Sequence, residues 1–142
     1  MLGQLPINRF HLLLVEDDDV DALNVQRALR GVEAIETVTR LRDGVEALTW
    51  LRERTSLRRL MVLSDLRMPR MSGLELLAAI RHDPKLESLA VAILTTSADD
   101  RDLEAAARMH VAGYFAKGLD SQQFGAALRS FAEYWASSLV PR

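Results

Sequence analysis

Short apolar runs alternate along this chain with segments whose apolar positions fall at helical spacing. Leu12-Leu13-Leu14-Val15 is apolar throughout, as a strand buried on both faces should be. Ala22, Val25 and Leu29 follow at i, i+3 and i+7, and Gly31 stops that helix. Ala34 to Thr39 reads as a more polar second strand, placed at a sheet edge. Asp43-Gly44 turns the chain into a helix with Val45, Leu48 and Leu51 inward. Leu60 to Leu63 is the third apolar run. Pro69 and Gly73 punctuate the next loop, and Ser72 can cap a helix carrying Leu74, Leu77 and Ala78. Ala90 to Leu94 is the fourth run, before a helix around Leu103, Ala106 and Ala107. Val111 to Ala116 is the fifth run. The last helix carries Phe124, Ala127, Leu128, Phe131 and Trp135 on one face.

Five strands alternating with five helices predict an α/β fold with a parallel sheet covered on both sides. Right-handed crossovers favour a doubly wound, flavodoxin-like sheet of order 2-1-3-4-5. In that order, sites form at the carboxyl ends of strands 1 and 3. Strand 1 ends in Glu16-Asp17, strand 3 in Ser64-Asp65, strand 4 in Thr95-Thr96 and strand 5 in Lys117. Three carboxylates, a hydroxyl and an ammonium are therefore expected at one edge. Carboxylates that close repel one another and call for a cation. Hard oxygen ligands without a dedicated cage suit Mg²⁺, or Mn²⁺. A carboxylate can also attack phosphorus, and phosphoryl transfer needs mainly alignment and charge neutralisation.

Composition narrows the alternatives. The 142 residues are 49% hydrophobic and 27% charged, with a formal net charge of −2 and no cysteine. One soluble, cytoplasmic domain is expected. Thiol chemistry and Cys-type zinc sites are excluded. No basic excess points to nucleic acid, and no apolar run approaches the ~20 residues that span a bilayer. His11, His82 and His110 lie away from the strand ends, which removes a Ser-His-Asp arrangement, and no Gly-rich phosphate loop is present.

Five segments in order, LLVEDDDVDA, DGVEAL, LSDLRMPRMSGLELL, AILTTS and GYFAKG, resemble those of response-regulator receiver domains of the CheY type. The resemblance covers roughly residues 10 to 132. It implies that Asp65 is the phosphoacceptor and that Glu16 and Asp17, with Asp65 and the backbone carbonyl of Arg67, hold the metal. It further implies that Thr95 is the hydroxyl that moves toward the phosphoryl group, Lys117 its salt-bridge partner, and Tyr114 a reporting aromatic. Tyr114 reads equally well as core or interface. The acidic start, LTTS and the late pair Tyr134-Trp135 are similar to small stand-alone receivers that serve phytochrome-type sensor histidine kinases. One position departs from the family. Proline usually follows the lysine, often after a cis bond, and Gly118 stands here. A cis bond before a non-proline costs about 2.5–4 kcal/mol, so a trans bond or a differently shaped loop is expected.

These readings assign residues 8–138 to one receiver domain and 1–7 to an N-terminal tail. Residues 139–142, LVPR, form a C-terminal tail or a protease-site remnant, and no output domain is expected. Asp18, Asp19 and Asp21 are assigned to the helix dipole, and Thr96 and Ser97 to capping or loop roles. Phe131 and Trp135 are assigned to the core, and Tyr134 to a patch that could meet a second copy in a homodimer. Arg52, Arg54, Arg58 and Arg59 read as a solvated loop face, with kinase docking as the lesser reading. The expected function is a phospho-switch and not a turnover enzyme. A dehalogenase-like hydrolase would want an acid where Arg67 stands, a flavodoxin-like carrier would want a Ser/Thr/Gly loop where the acids stand, and a silent receiver would not need the full acidic set.

Overall fold

The computed structural model describes residues 9–96, 100–117 and 120–137. The expected alternation is present: β1 (Phe10–Val15), α1 (Asp19–Leu29), β2 (Ile35–Leu41), α2 (Gly44–Glu53), β3 (Leu60–Asp65), α3 (Gly73–His82), β4 (Ala90–Thr95), α4 (Asp100–Arg108), β5 (Gly113–Ala116) and α5 (Ser121–Ser137). The strands pair in parallel in the order β2-β1-β3-β4-β5. The three central strands are apolar because both of their faces are covered. Phe10, Leu12 and Leu14 pack toward α1 and α5 with Met61, Leu63, Val25 and Leu128. Leu13 and Val15 point the other way, to Val62, Ile93, Leu51, Leu77 and Ile80. β2 has no fully buried residue, as an edge strand allows.

Local sequence sets the helix starts. The Asp18 side chain accepts from the Asp21 N–H at α1, and Asp43 accepts from the Glu46 N–H at α2. Ser72 and Glu75 form a reciprocal capping box at α3. Asp43 is also held by Arg70 at 2.6 Å. Burial pushes the Asp43 carboxyl up, but the Glu46 N–H and the Arg70 guanidinium outweigh it and hold the group below the usual range.

Several inward positions differ from the sequence reading. Val45 is 38% exposed, and α2 instead buries Gly44, Ala47, Leu48 and Leu51. Small residues at 44 and 47 bring that helix close to its neighbours, which moves Val45 to the flank. In α3 the buried set is Gly73, Leu76, Leu77 and Ile80, with Leu74 and Ala78 half-buried. Ala107 and Ala127 are exposed. α5 buries Phe124, Gly125, Leu128, Ala132 and Ala136, while Phe131 and Trp135 are half-buried against the core. Apolarity alone thus does not fix which positions of each helix face inward; packing against the sheet and the neighbouring helices does. Val111 precedes β5, which starts only at Gly113. Ser97, Gly118 and the tails 1–8 and 138–142 lie outside the described residues.

One glycine controls the loop after β3. The Gly73 N–H donates to the Leu66 carbonyl at 2.8 Å. A Cβ at this position would run into the Asp65 carbonyl oxygen and come within 2.8 Å of the Leu66 Cα. Both obstacles are backbone, so neither can swing aside. Gly73→Ala is expected to lower stability by about 3 kcal/mol or more, read as a shifted urea midpoint with unchanged slope. An unchanged midpoint would show that the loop yields freely.

Candidate functional site

The strand ends converge as the topology requires. β1 delivers Glu16 and Asp17, β3 delivers Asp65, β4 delivers Thr95, and Lys117 follows β5. Lys117 is threaded into place by its own backbone, whose N–H donates to the Thr95 carbonyl at 2.9 Å. Its Nζ lies 2.5 Å from Glu16 Oε1, 2.8 Å from Asp21 Oδ2 and 3.0 Å from Asp65 Oδ2. Glu16 is fully buried, Asp65 and Thr95 are buried, and Asp17 is half-buried. One carboxylate oxygen from each of Glu16, Asp17 and Asp65 lies within 4.8 Å of the others, a spacing that could hold a metal ion.

Backbone contacts fix the acids. The Glu16 carbonyl accepts from Arg40 Nε at 2.9 Å, and Glu16 Oε2 accepts from the Asp18 N–H at 3.2 Å. Asp65 Oδ1 accepts from the Arg67 N–H at 3.4 Å. The Ser64 hydroxyl donates to the Asp65 carbonyl at 2.9 Å. Arg67 thus sits in the loop beside Asp65, and its guanidinium reaches Asp102 of α4 at 3.3 Å. Tyr114 stands at the rim, 41% exposed, its hydroxyl donating to the Leu103 carbonyl at 3.2 Å. Tyr134 is on the outer face of α5 and 71% exposed, away from this cluster.

The sequence reading missed Asp21. It placed this acid with the helix dipole, whereas the first turn of α1 aims its carboxylate at Lys117. Nothing in local spacing distinguishes Asp21 from Asp18 or Asp19. Asp18 caps α1, and Asp19 pairs with Arg40 and Arg42, each at 2.9 Å. A cavity of about 400 Å³ opens beside Asp21 and Lys117, between α1 and α5.

The charges are unbalanced, with three carboxylates on one ammonium and a fourth, Asp17, beside them. Burial is the main influence on Glu16. The Lys117 contact lowers its pKa and the Asp65 charge raises it, and the group is pushed up to about 7. Burial pulls Lys117 down, but its contacts with Asp21, Glu16 and Asp65 outweigh that and raise it. Glu16 Oε1 is in direct ion-pair contact with the Lys117 ammonium, so both groups are buried together as a pair.

A doubly wound sheet with this constellation at the ends of β1, β3, β4 and β5 defines a CheY-like receiver. The family described as the response regulator receiver domain matches residues 12–129, and the chain belongs to it. A probable methanogenesis regulatory protein, FilR2 of Methanothrix harundinacea, is 38% identical over 130 residues, covering 89% of this chain and 83% of that protein. The phosphorylated cyanobacterial phytochrome response regulator RcpA superposes with a TM-score of 0.84 at 31% identity, covering 94% and 98% of the two chains. The Mn²⁺-bound form of response regulator Rcp1, a protein of Synechocystis, gives 0.82 at 30% identity, covering 94% and 99%. Among the described residues, no helix is long and apolar enough to cross a membrane.

The raised Glu16 has a measurable consequence in metal-free buffer. A carboxyl whose folded pKa exceeds its unfolded value of about 4.3 binds more protons folded than unfolded between the two. Stability therefore falls as pH rises from about 4.3 through about 7. Glu16→Gln is expected to flatten that decline in urea melts with chelator present. Parallel pH profiles for the two proteins would refute the assignment.

Proposed function

We propose that the chain is a phospho-switch that takes a phosphoryl group on Asp65 from the phosphohistidine of a sensor histidine kinase. The observation that carries this reading is the convergence of Asp65 with Glu16 and Asp17, within 4.8 Å, and with Lys117 at 3.0 Å. A carboxylate oxygen of Asp65 attacks phosphorus, the P–N bond breaks, and its electron pair leaves with the imidazole nitrogen. An acyl phosphate results. Its added negative charge needs neutralisation on more than one side, which Lys117 and the Thr95 hydroxyl supply.

The donor set fits a hard divalent ion, Mg²⁺ or Mn²⁺: three carboxylates whose oxygens lie within 4.8 Å of one another, one of them a Glu16 that burial and Asp65 push toward neutrality. Glu16, Asp17 and Asp65 would hold the ion with the Arg67 carbonyl, and the ion would offset charge on the transferring phosphoryl oxygens. Water then returns Asp65 to the carboxylate. The chain supplies the groups for its own phosphorylation and dephosphorylation, so it acts as a phosphoacceptor and not a turnover enzyme. The acyl phosphate shifts Thr95 and Tyr114 and biases a surface made by α4 and α5. The likeness to the phytochrome response regulator RcpA supports a phytochrome-type kinase as donor, within the cytoplasm. Tyr134 and the α5 face would join two copies in a homodimer, with neither nucleic acid nor membrane required.

Incubation with a small phosphodonor and Mg²⁺ is expected to give one acid-stable, base-labile phosphate per chain, absent with chelator and absent in Asp65→Ala. No labelling, or labelling that survives Asp65→Ala, would overturn the proposal. Sedimentation with a beryllium fluoride mimic is expected to show a dimer that Tyr134→Ala weakens. A monomer under both conditions would remove the homodimer and leave the phospho-switch standing.

A further inference from the structure

Arg52, Arg58 and Arg59 are exposed and Arg54 half-buried, and the four differ in what they contact. Arg52 pairs with Asp83 at 3.2 Å, and the Arg54 guanidinium lies 4.5 Å from the Trp50 ring centroid. Arg58 and Arg59 are exposed and form no ion pair with a carboxylate among the described residues. Both line a cleft of about 710 Å³, together with Arg81, Lys85, His110 and Trp135. Leu60 and Ala90, which begin β3 and β4, also line it, so it opens at the sheet edge opposite Asp65.

Carboxylates offset only part of the positive charge in this cleft. Arg81 donates to four carbonyls, those of Met109, Glu87, Leu89 and His110, at 2.7–2.9 Å. Lys85 Nζ donates to the carbonyls of Arg52 and Arg54 at 2.6 and 2.7 Å. Carbonyls satisfy donors but carry no net charge. Glu87 is the one acid lining the cleft. Two lining residues, Arg59 and His110, also hold φ values of 55° and 58°, where glycine is ordinarily preferred.

We propose that this cleft is a docking site for an acidic peptide segment of a partner protein, on the end of the domain opposite Asp65. Guanidinium forks at Arg58 and Arg59 match carboxylates in pairs, and the half-buried Trp135 offers an apolar wall. The net charge of −2 disfavours a polyanion as long as nucleic acid, whereas a short acidic segment meets only the basic end. The opposite placement leaves the strand-end site open while the cleft is filled.

The test titrates the isotope-labelled full chain with hexaglutamate at low ionic strength and follows backbone amide shifts. Shifts are expected at Arg58, Arg59, Ser88 and His110, and they should vanish near 1 M salt, where the screening length is about 3 Å. The double variant R58E/R59N removes both guanidiniums, and asparagine tolerates the left-handed backbone at position 59. It should weaken binding at least about tenfold with phosphodonor labelling unchanged. R58Q, which alters one exposed side chain, should weaken it less and in the same direction. Absent shifts, shifts confined to the Lys117 end, equal affinity in the variant, or tighter binding of a short oligonucleotide at the cleft would each overturn the proposal. So would self-association without peptide that R58E/R59N abolishes, because the cleft would then take a second copy.

Discussion

The Lys117 ammonium is the contact on which the strand-end geometry depends. It ties together Glu16 of the β1 end, Asp21 of α1 and Asp65 of β3, joining the last strand to the first helix across 96 residues. A buried charge is costly unless paired, and here the cation is paired three times over. The excess runs the other way, with more carboxylates than one ammonium can satisfy. That excess appears in Glu16, whose pKa climbs to about 7 through burial and the Asp65 charge. Folding energy alone gives no reason to crowd acids in this way. The spacing that results, three carboxylate oxygens within 4.8 Å of one another, could hold a cation.

Holding such a cluster needs a stiff frame, and each strand contributes to it. Leu66 N–H donates to the Leu94 carbonyl, Glu16 N–H to the Leu41 carbonyl and Lys117 N–H to the Thr95 carbonyl. These bonds carry the parallel ladder one residue past the strands and aim the next side chains along the sheet edge. Gly73 lets α3 begin directly against Asp65 and Leu66. The apolar faces on either side of the sheet then resist any slip, because a one-residue shift would turn core side chains outward.

Connections from the site to the surface are weaker than those within it. Arg67 reaches Asp102, and Tyr114 reaches the Leu103 carbonyl, so α4 is joined to the loop after β3 and to β5 by contacts at the exposed rim. An exposed ion pair contributes about 0–1 kcal/mol. Rearranging these contacts therefore costs little compared with disturbing the buried cluster. The two ends of the sheet also differ in charge, acids at the strand termini and, at the strand starts, arginines that form no ion pair among the described residues. A net charge of −2 conceals that separation.

The order of elements was legible in the chain because apolar runs with period-3.6 segments between them admit few topologies. Strand ends were legible for the same reason, since a polar residue closing a fully apolar run must lie where the core stops. Glu16, Asp17, Asp65, Thr95 and Lys117 could thus be placed together before any coordinates. Asp21 could not, because three acids in one helical turn are equivalent until α1 is docked beside the end of β5. The buried stripes of α2 and α5 differ from the apolar pattern at Val45 and Ala127, both apolar and both exposed. The fate of the four arginines was equally hidden: Asp83 and Trp50 engage two of them, and which two depends on distances in the folded chain. Sequence alone determined which groups end each strand. Tertiary packing decided which charges meet, because a charge's partner is set by proximity in space and not by position along the chain.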